Sequence, residues 1–490
     1  MTSWSLRCRE LAFPVDTERA FAALFGVGRW AFWLDSSLLG GSARYSVLGE
    51  SAGPHEEVLT ERVGEGGETI FDRLERRLAD RRRVDVPDEL PRELACGYVG
   101  YFGYELKAHD GAAGPHVSPL PDACWLAATR YVGVDHEERR TWVVELVADG
   151  EPAAWLEEAA AILTDLAAAS ESAGQVEEPG AARPGGSRPG VPSGGSGPEP
   201  EPWLDRPRDA YLRDVETCLA RLRAGESYEI CLTNTVEMPF TGTPLEVYRR
   251  LRRLNPAPYA AYLRLDGVHV LSASPERFLT VDREGYAESR PIKGTVPRSG
   301  DPGLDELARK ELLTSTKTRA ENLMIVDLVR NDLGRVCEPG SITVPAFLAL
   351  ESYATVHHLV STVRGRLRAE VGPVGAARAC FPPGSMTGAP KLRTMRILDE
   401  LESRARGIYS GALGQFGLTG TADLSVVIRT AVIHEGRVTV GAGGAIVLDS
   451  DPVEEWDEML VKAAVPLRAL PPAPETAPET APGNAPERTF

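Results

Sequence analysis

Short runs in which apolar and polar residues alternate fill the first 170 positions of the chain. Trp30 to Ser37 and Ala43 to Gly49 read as strands joined through a glycine-rich turn. Cys96-Gly-Tyr-Val-Gly-Tyr-Phe-Gly103 mixes glycine with aromatics, as suits strands that pack closely, and Trp142 to Val147 is a further strand. Phe71 to Arg83 has the spacing of a basic amphipathic helix. The alanine-rich run Trp155 to Ala169 is also helical, and Glu157, Glu158 and Asp165 make it amphipathic rather than a membrane span.

The pattern then lapses. Residues 171–202 are rich in Gly, Pro, Ser and Glu and read as a flexible linker; residues 471–490 read as a disordered tail. Between them, 203–470 is dense in periodic segments. Asp209 to Ala224 and Leu245 to Leu254 are helical, and Gly225 to Asn234 is a turn and strand. Tyr259 to Arg264 and Val268 to Ser272 flank Asp266-Gly267, a hairpin signal. Ser274 to Phe278 interrupts the next strand, and Leu304 to Asp332 reads as one long helical region. The expected organisation is an N-terminal domain over 1–170 and a larger domain over 203–470.

Composition narrows the partners. With 54 basic and 71 acidic residues among 490 the net charge is -17, which argues against nucleic acid, since phosphate neutralisation needs basic stripes. A small anionic substrate stays compatible, because local charge decides that. The seven cysteines are scattered without a CxxC, which points to neither zinc nor disulfides and to a reducing cytoplasm. The first 16 residues lack the pattern of a signal peptide. There is no internal repeat, no GxxxxGK loop and no GxGxxG opening a helix.

Several polar residues sit where packing alone would not put them. In Pro291-Ile-Lys-Gly-Thr295, Pro291 argues for a strand end or edge and Gly294 for a close backbone approach. Lys293 is then either an amine snorkelling to water or one held in a pocket as a nucleophile. Glu321 falls in helical register with Met324, Ile325 and Leu328, on an apolar face. It is either half of a buried ion pair or a metal-binding or catalytic carboxylate. Asp451-Pro452 opens a helix on which Glu455, Glu458 and Lys462 share one face, as a solvated stripe or as ligands for an oxygen-seeking cation such as Mg²⁺. The loop Phe381 to Lys391, ahead of a helix, could receive an anion on its amides, and Val440 to Ile446 reads as a strand turn open to a ligand.

Taken together, Ser274-Pro-Glu-Arg-Phe278, Val326 to Arg335, His357-His-Leu-Val-Ser361, Thr387-Gly-Ala-Pro-Lys391, Tyr409-Ser-Gly-Ala412, Val427-Ile-Arg429 and Gly443 to Ser450 resemble the chorismate-utilising enzymes. The resemblance is close over 203–470 and looser before it. It implies an α+β fold of the anthranilate-synthase kind, two large antiparallel β-sheets packed as a sandwich with helices outside. Within the family, PIKGT at 291–295 is similar to the branch that makes 4-amino-4-deoxychorismate through a covalent lysine, where anthranilate synthases read PIAGT. Glu229 stands where many relatives have Gln and isochorismate-forming relatives a water-activating Lys; Pro383 replaces a frequent Gly.

The resemblance implies Lys293 as nucleophile and Glu276 as general acid. It also implies Glu321, Glu455 and Glu458 as Mg²⁺ ligands. Tyr409, Arg429, Gly443 and Gly444 would hold the enolpyruvyl carboxylate of chorismate, and Thr387, His358 and Lys462 would line the pocket. No glutaminase nucleophile turn occurs in these residues, so ammonia is expected from a glutamine amidotransferase subunit or free ammonium. Leu34 to Ser37 resembles the tryptophan pocket of some relatives. Two other readings stay open: an anthranilate synthase component I, and an inactive regulatory or binding subunit.

Overall fold

The computed structural model of the chain describes residues 4–37, 44–81, 84–172, 197–353 and 356–472. The expected glycine-rich turn at 38–43, most of the expected linker and nearly all of the expected tail lie outside them. The α+β sandwich forms as expected, from an eleven-stranded and a ten-stranded sheet with every strand pair antiparallel.

Period-2 alternation explains the layers. In Trp30–Asp35, Ala31 and Trp33 face one way and Phe32 the other; in Tyr259–Leu265, Ala260 and Tyr262 oppose Ala261 and Leu263. In the other sheet, Tyr98 and Phe102 oppose Val99 and Tyr101 along Cys96–Phe102. One set from each sheet meets in a shared layer that includes Phe32, Val99, Tyr101 and Leu263. The outer faces are covered by helices. Ala154–Ser172, Arg208–Arg223 and Pro452–Leu467 cover the larger sheet, and Ile70–Arg81 and Thr316–Gly334 the smaller.

Both sheets draw strands from either side of residues 173–196. Trp30–Asp35 pairs with Tyr259–Leu265, placing Trp33 opposite Tyr262, and Cys96–Phe102 pairs with Ala412–Gly417, placing Tyr101 opposite Leu413. Gly100 permits the tight spacing, since a Cβ there would collide with the Cys124 carbonyl. The hairpin turn carries positive φ at Asp266 (50°) and Gly267 (89°), as a two-residue turn of this hand requires.

Two local expectations are corrected. Leu304 to Asp332 is not one helix but two, Pro302–Thr314 and Thr316–Gly334, parted at Ser315, whose hydroxyl caps the second by accepting from the Thr318 amide. Val440 to Ile446 is not a turn: Arg437–Ile446 runs as one strand paired along its length with Glu229–Pro239. Its glycines answer to crowding instead, because a Cβ at Gly441 would overlap the Tyr409 ring and one at Gly443 the Leu232 carbonyl.

Trp125 is fully buried, with ring centroids 4.7 Å from Phe102 and 4.9 Å from Phe416. Trp125→Ala is expected to cost about 3–5 kcal/mol in urea unfolding. Leu307→Ala, at a position 51% exposed, is expected to stay within about 0.5 kcal/mol.

Candidate active site

The chain passes from one sheet to the other at two neighbouring places. Val268–Ser274 belongs to the larger sheet and Arg277–Val281 to the smaller, with Pro275-Glu276 between them. Ala422–Val426 belongs to the smaller sheet and Thr430–His434 to the larger, with Val427 to Arg429 between them. The crossings are tied together: the Val426 amide donates to the Glu276 carbonyl, and the Ser274 hydroxyl donates to the Val426 carbonyl at 2.6 Å. Arg429 takes a left-handed backbone (φ 50°). Its guanidinium makes no hydrogen bond or salt bridge among the described residues, and Glu276 is its charged neighbour.

Lys293 lies on Ile292–Pro297, the edge strand of the smaller sheet, as Pro291 suggested. The register with Val356–Arg366 slips between Ile292 and Thr295, so Lys293 and Gly294 sit in an irregularity that re-aims the side chain. Gly294 is left-handed (φ 86°), and a Cβ there would overlap the Thr318 methyl, which is what lets the helix of Glu321 approach.

The Lys293 side chain is 11% exposed, and its Nζ donates to Glu229 Oε1 at 2.5 Å. Burial disfavours the ammonium, but Glu229 and then Glu321 outweigh it, and the amine is held above the ordinary lysine value. The amine is pocketed rather than snorkelling to water, and Glu229 holds it charged. Burial pushes buried Glu276 up to about 7, against the opposing pull of Ser385, Lys293, Lys462 and Arg429. Burial also raises Glu321, with Lys293 opposing and Glu229 adding.

The remaining expected residues gather around this centre. Asp451 caps Pro452–Leu467 by accepting from the Val453 and Glu454 amides. That helix turns Glu455 inward, where it accepts from the Ser450 hydroxyl at 2.6 Å and lies 3.2 Å from Lys317 Nζ. Glu458 pairs with Lys462 at 2.6 Å, and Lys462 also donates to the Gly443 carbonyl at 2.9 Å. Gly444 leaves room for Glu455, whose Oε2 would lie 2.8 Å from a Cβ there. His358 shares a 2.7 Å hydrogen bond with Thr295, and burial, with Arg429 and His357, pushes it down to about 4, so it is neutral near pH 7. Tyr409 is buried against Gly441; Thr387 is fully buried, donating to the Gly384 carbonyl at 3.1 Å. The Phe381 to Lys391 loop is closed on itself: the Met386 and Thr387 amides donate to Pro383 and Gly384, and Lys391 bonds Asp332, Cys380 and Pro382.

Among the described residues no three ligating side chains form a ready metal-binding group. The donor set nevertheless suits a hard cation: Glu455, Glu321 and Glu458 all act on one ammonium, that of Lys317, which they hold above its ordinary value against burial. Lys317 is the cation these carboxylates hold here. Sequence reasoning passed over it, although Lys317 and Glu321 are one helical turn apart. It also passed over Ser385 beside Glu276, for which no sequence signal exists. At Leu34 to Ser37, Asp35 is met by Arg252 (2.7 Å) and Tyr248 (3.2 Å), and Ser37 bonds the Ala257 backbone.

The chain belongs to the chorismate binding enzymes, whose family pattern matches residues 40–468. It is 46% identical over 488 residues to an aminodeoxychorismate synthase of Streptomyces pristinaespiralis, covering 95% of this chain and 65% of that protein. The anthranilate synthase component 1 of Streptomyces coelicolor is 38% identical, over 93% of this chain and 86% of its own length. The crystal structure of anthranilate synthase component I from Streptococcus pneumoniae superposes with a TM-score of 0.69 at 28% identity, over 88% of this chain and 93% of that one.

The raised Glu276 value has a sign. A carboxyl shifted upward costs stability wherever it is ionised in the folded chain: nothing well below pH 4.5, increasingly above it, and fully above about 7. Glu276→Gln is expected to gain on the order of 3 kcal/mol in urea unfolding at pH 8, with the gain vanishing toward pH 4.5.

Proposed function

We propose that this chain is the large subunit of an aminodeoxychorismate synthase, converting chorismate and ammonia to 4-amino-4-deoxychorismate. The observation that carries the reading is the enclosed Lys293 amine, within electrostatic reach of both Glu276 and Glu321. The relatives of that name support it, and since the chain spans 65% of the first of them, the activity is inferred for this chain rather than transferred whole.

Chorismate is a dianion whose 4-hydroxyl leaves poorly. A Mg²⁺ ion held by Glu321, Glu455 and Glu458 would neutralise the ring carboxylate and draw electron density from the diene. Arg429, with Tyr409 and the Gly443–Gly444 backbone, receives the enolpyruvyl carboxylate; its unpaired guanidinium is suited to a bidentate anion. Thr387, His358 and Lys462 line the pocket. Lys293 forms a bond to C2 as the C4–O bond breaks, and Glu276 gives its proton to the departing hydroxyl. A carboxyl near 7 keeps its proton in about half of the molecules at neutral pH, where an ordinary carboxyl has almost none to give. Ammonia then bonds C4 and the lysine leaves C2.

The ammonia comes from a glutamine amidotransferase partner. The setting is the cytoplasm, with which seven free thiols agree; among the described residues no helix is long and apolar enough to cross a membrane. No tryptophan is assigned to Leu34 to Ser37, where Arg252 and Tyr248 meet Asp35, Tyr45 and Ser46 meet Ser36, and Ala257 meets Ser37. One observation favours a second reading: an anthranilate synthase component 1 is matched over 86% of its length.

Purified protein given chorismate, Mg²⁺ and ammonium is expected to form the 4-amino product by mass spectrometry; anthranilate fluorescence without any lyase overturns the assignment. Lys293→Ala should abolish the covalent adduct in intact-protein mass spectra. Glu276→Gln should lower kcat by about 10²–10⁴-fold. The wild-type rate should fall as pH rises through about 7, where Glu276 loses its proton.

A further inference from the structure

Glu229 is 1% exposed, at the start of Glu229–Pro239 in the larger sheet, while Lys293 lies on the edge strand of the smaller one. Their contact therefore joins the two sheets across the pocket, with Oε1 on the amine at 2.5 Å. Oε2 is buried and has no hydrogen-bond partner. A carboxylate so placed is tolerable only while the ammonium faces it; once the amine turns neutral, an uncompensated charge is left in a dry site. The neutral acid has no such cost. The pair must therefore lose its charges together, by one proton passing from nitrogen to oxygen.

We infer that Glu229 is the proton acceptor that frees the Lys293 amine for attack, a role that rests on the aminodeoxychorismate reading and deepens it. The steps balance. Lys293 gives one proton to Glu229; its lone pair forms the N–C2 bond, the diene electrons shift, and the C4–O bond breaks, the oxygen leaving as water with the proton of Glu276. In the second half ammonia forms the N–C4 bond and the N–C2 bond breaks. The amine of Lys293 recovers its proton from Glu229, and the new C4 ammonium gives one to the Glu276 carboxylate. The sum is chorismate plus ammonia giving the 4-amino product and water. Glu229 touches the reacting nitrogen, and an amide in its place could hold that nitrogen but take no proton from it.

The test compares wild type, Glu229→Gln and Glu229→Asp. It reads kcat and chorismate KM for 4-amino product, and the rate at which adduct mass appears on the protein with chorismate and Mg²⁺ but no ammonium. Expected are a fall in kcat and in adduct rate of at least tenfold for Glu229→Gln, with KM within threefold, and partial retention by Glu229→Asp. A Glu229→Gln protein within threefold of wild type in both rates overturns the inference. So does a Glu229→Asp protein that falls as far as Glu229→Gln with KM raised in both, which marks a purely positional role. If Glu229→Gln does not fold, Glu229→Met, which also removes the proton acceptor, takes its place on the same two rates with the same thresholds. A wild type that makes no 4-amino product at all refutes the functional reading instead, so the two failures are told apart.

Discussion

Two sheets that share one apolar layer must be threaded by a chain that passes between them, and this constraint places the chemistry. At a passage the backbone leaves one ladder before joining the next, so its polar groups and side chains are free to face a pocket. Glu276 and Arg429 occupy two adjacent passages, stitched by the Ser274–Val426 and Val426–Glu276 hydrogen bonds. Glu276 and Arg429 are thus fixed by the same backbone contacts that close the sandwich.

Charge balance organises the rest. Glu229, Glu321, Glu455 and Glu458 are drawn together with Lys293, Lys317 and Lys462, and the pocket holds because each carboxylate finds an ammonium in reach. The lysines differ in consequence. Lys462 is anchored to the Gly443 carbonyl and to its helical neighbour Glu458, so it is a fixed part of the wall. Lys317 rests against the mouth of the carboxylate group, 37% exposed, where an incoming cation could replace it at little cost in hydrogen bonds. Of the three, Lys293 is the enclosed one, its Nζ held by Glu229.

Much of this was legible in the chain because the signals were local. Asp266-Gly267 needs two left-handed residues, Asp451-Pro452 satisfies the first amides of a helix, and Pro291 cannot sit inside a sheet. What stayed hidden was either weakly marked or distant. The break at Ser315 carries no glycine or proline, and only the serine cap reveals it. The glycines from 441 to 444 read as a turn because periodicity cannot distinguish a turn from a strand crowded by a neighbouring ring and carbonyl. The partner of Lys293 lies 64 positions away on another sheet, beyond any reading by spacing. The family resemblance supplies a set of residues for the site but does not say which charges meet.

The interleaving of early and late strands also bears on how the molecule is made. Cys96–Phe102 pairs on one side with the nearby Ala123–Ala127 but on the other only with Ala412–Gly417, and Trp30–Asp35 lies between Tyr45–Glu50 and the much later Tyr259–Leu265. At a ribosome adding about 5–20 residues per second, the roughly 300 residues between those partners take on the order of 15–60 s to arrive. Throughout that interval one edge of a strand whose seven residues are all buried in the finished protein waits unpaired, which makes nascent chains of this architecture natural clients for chaperones.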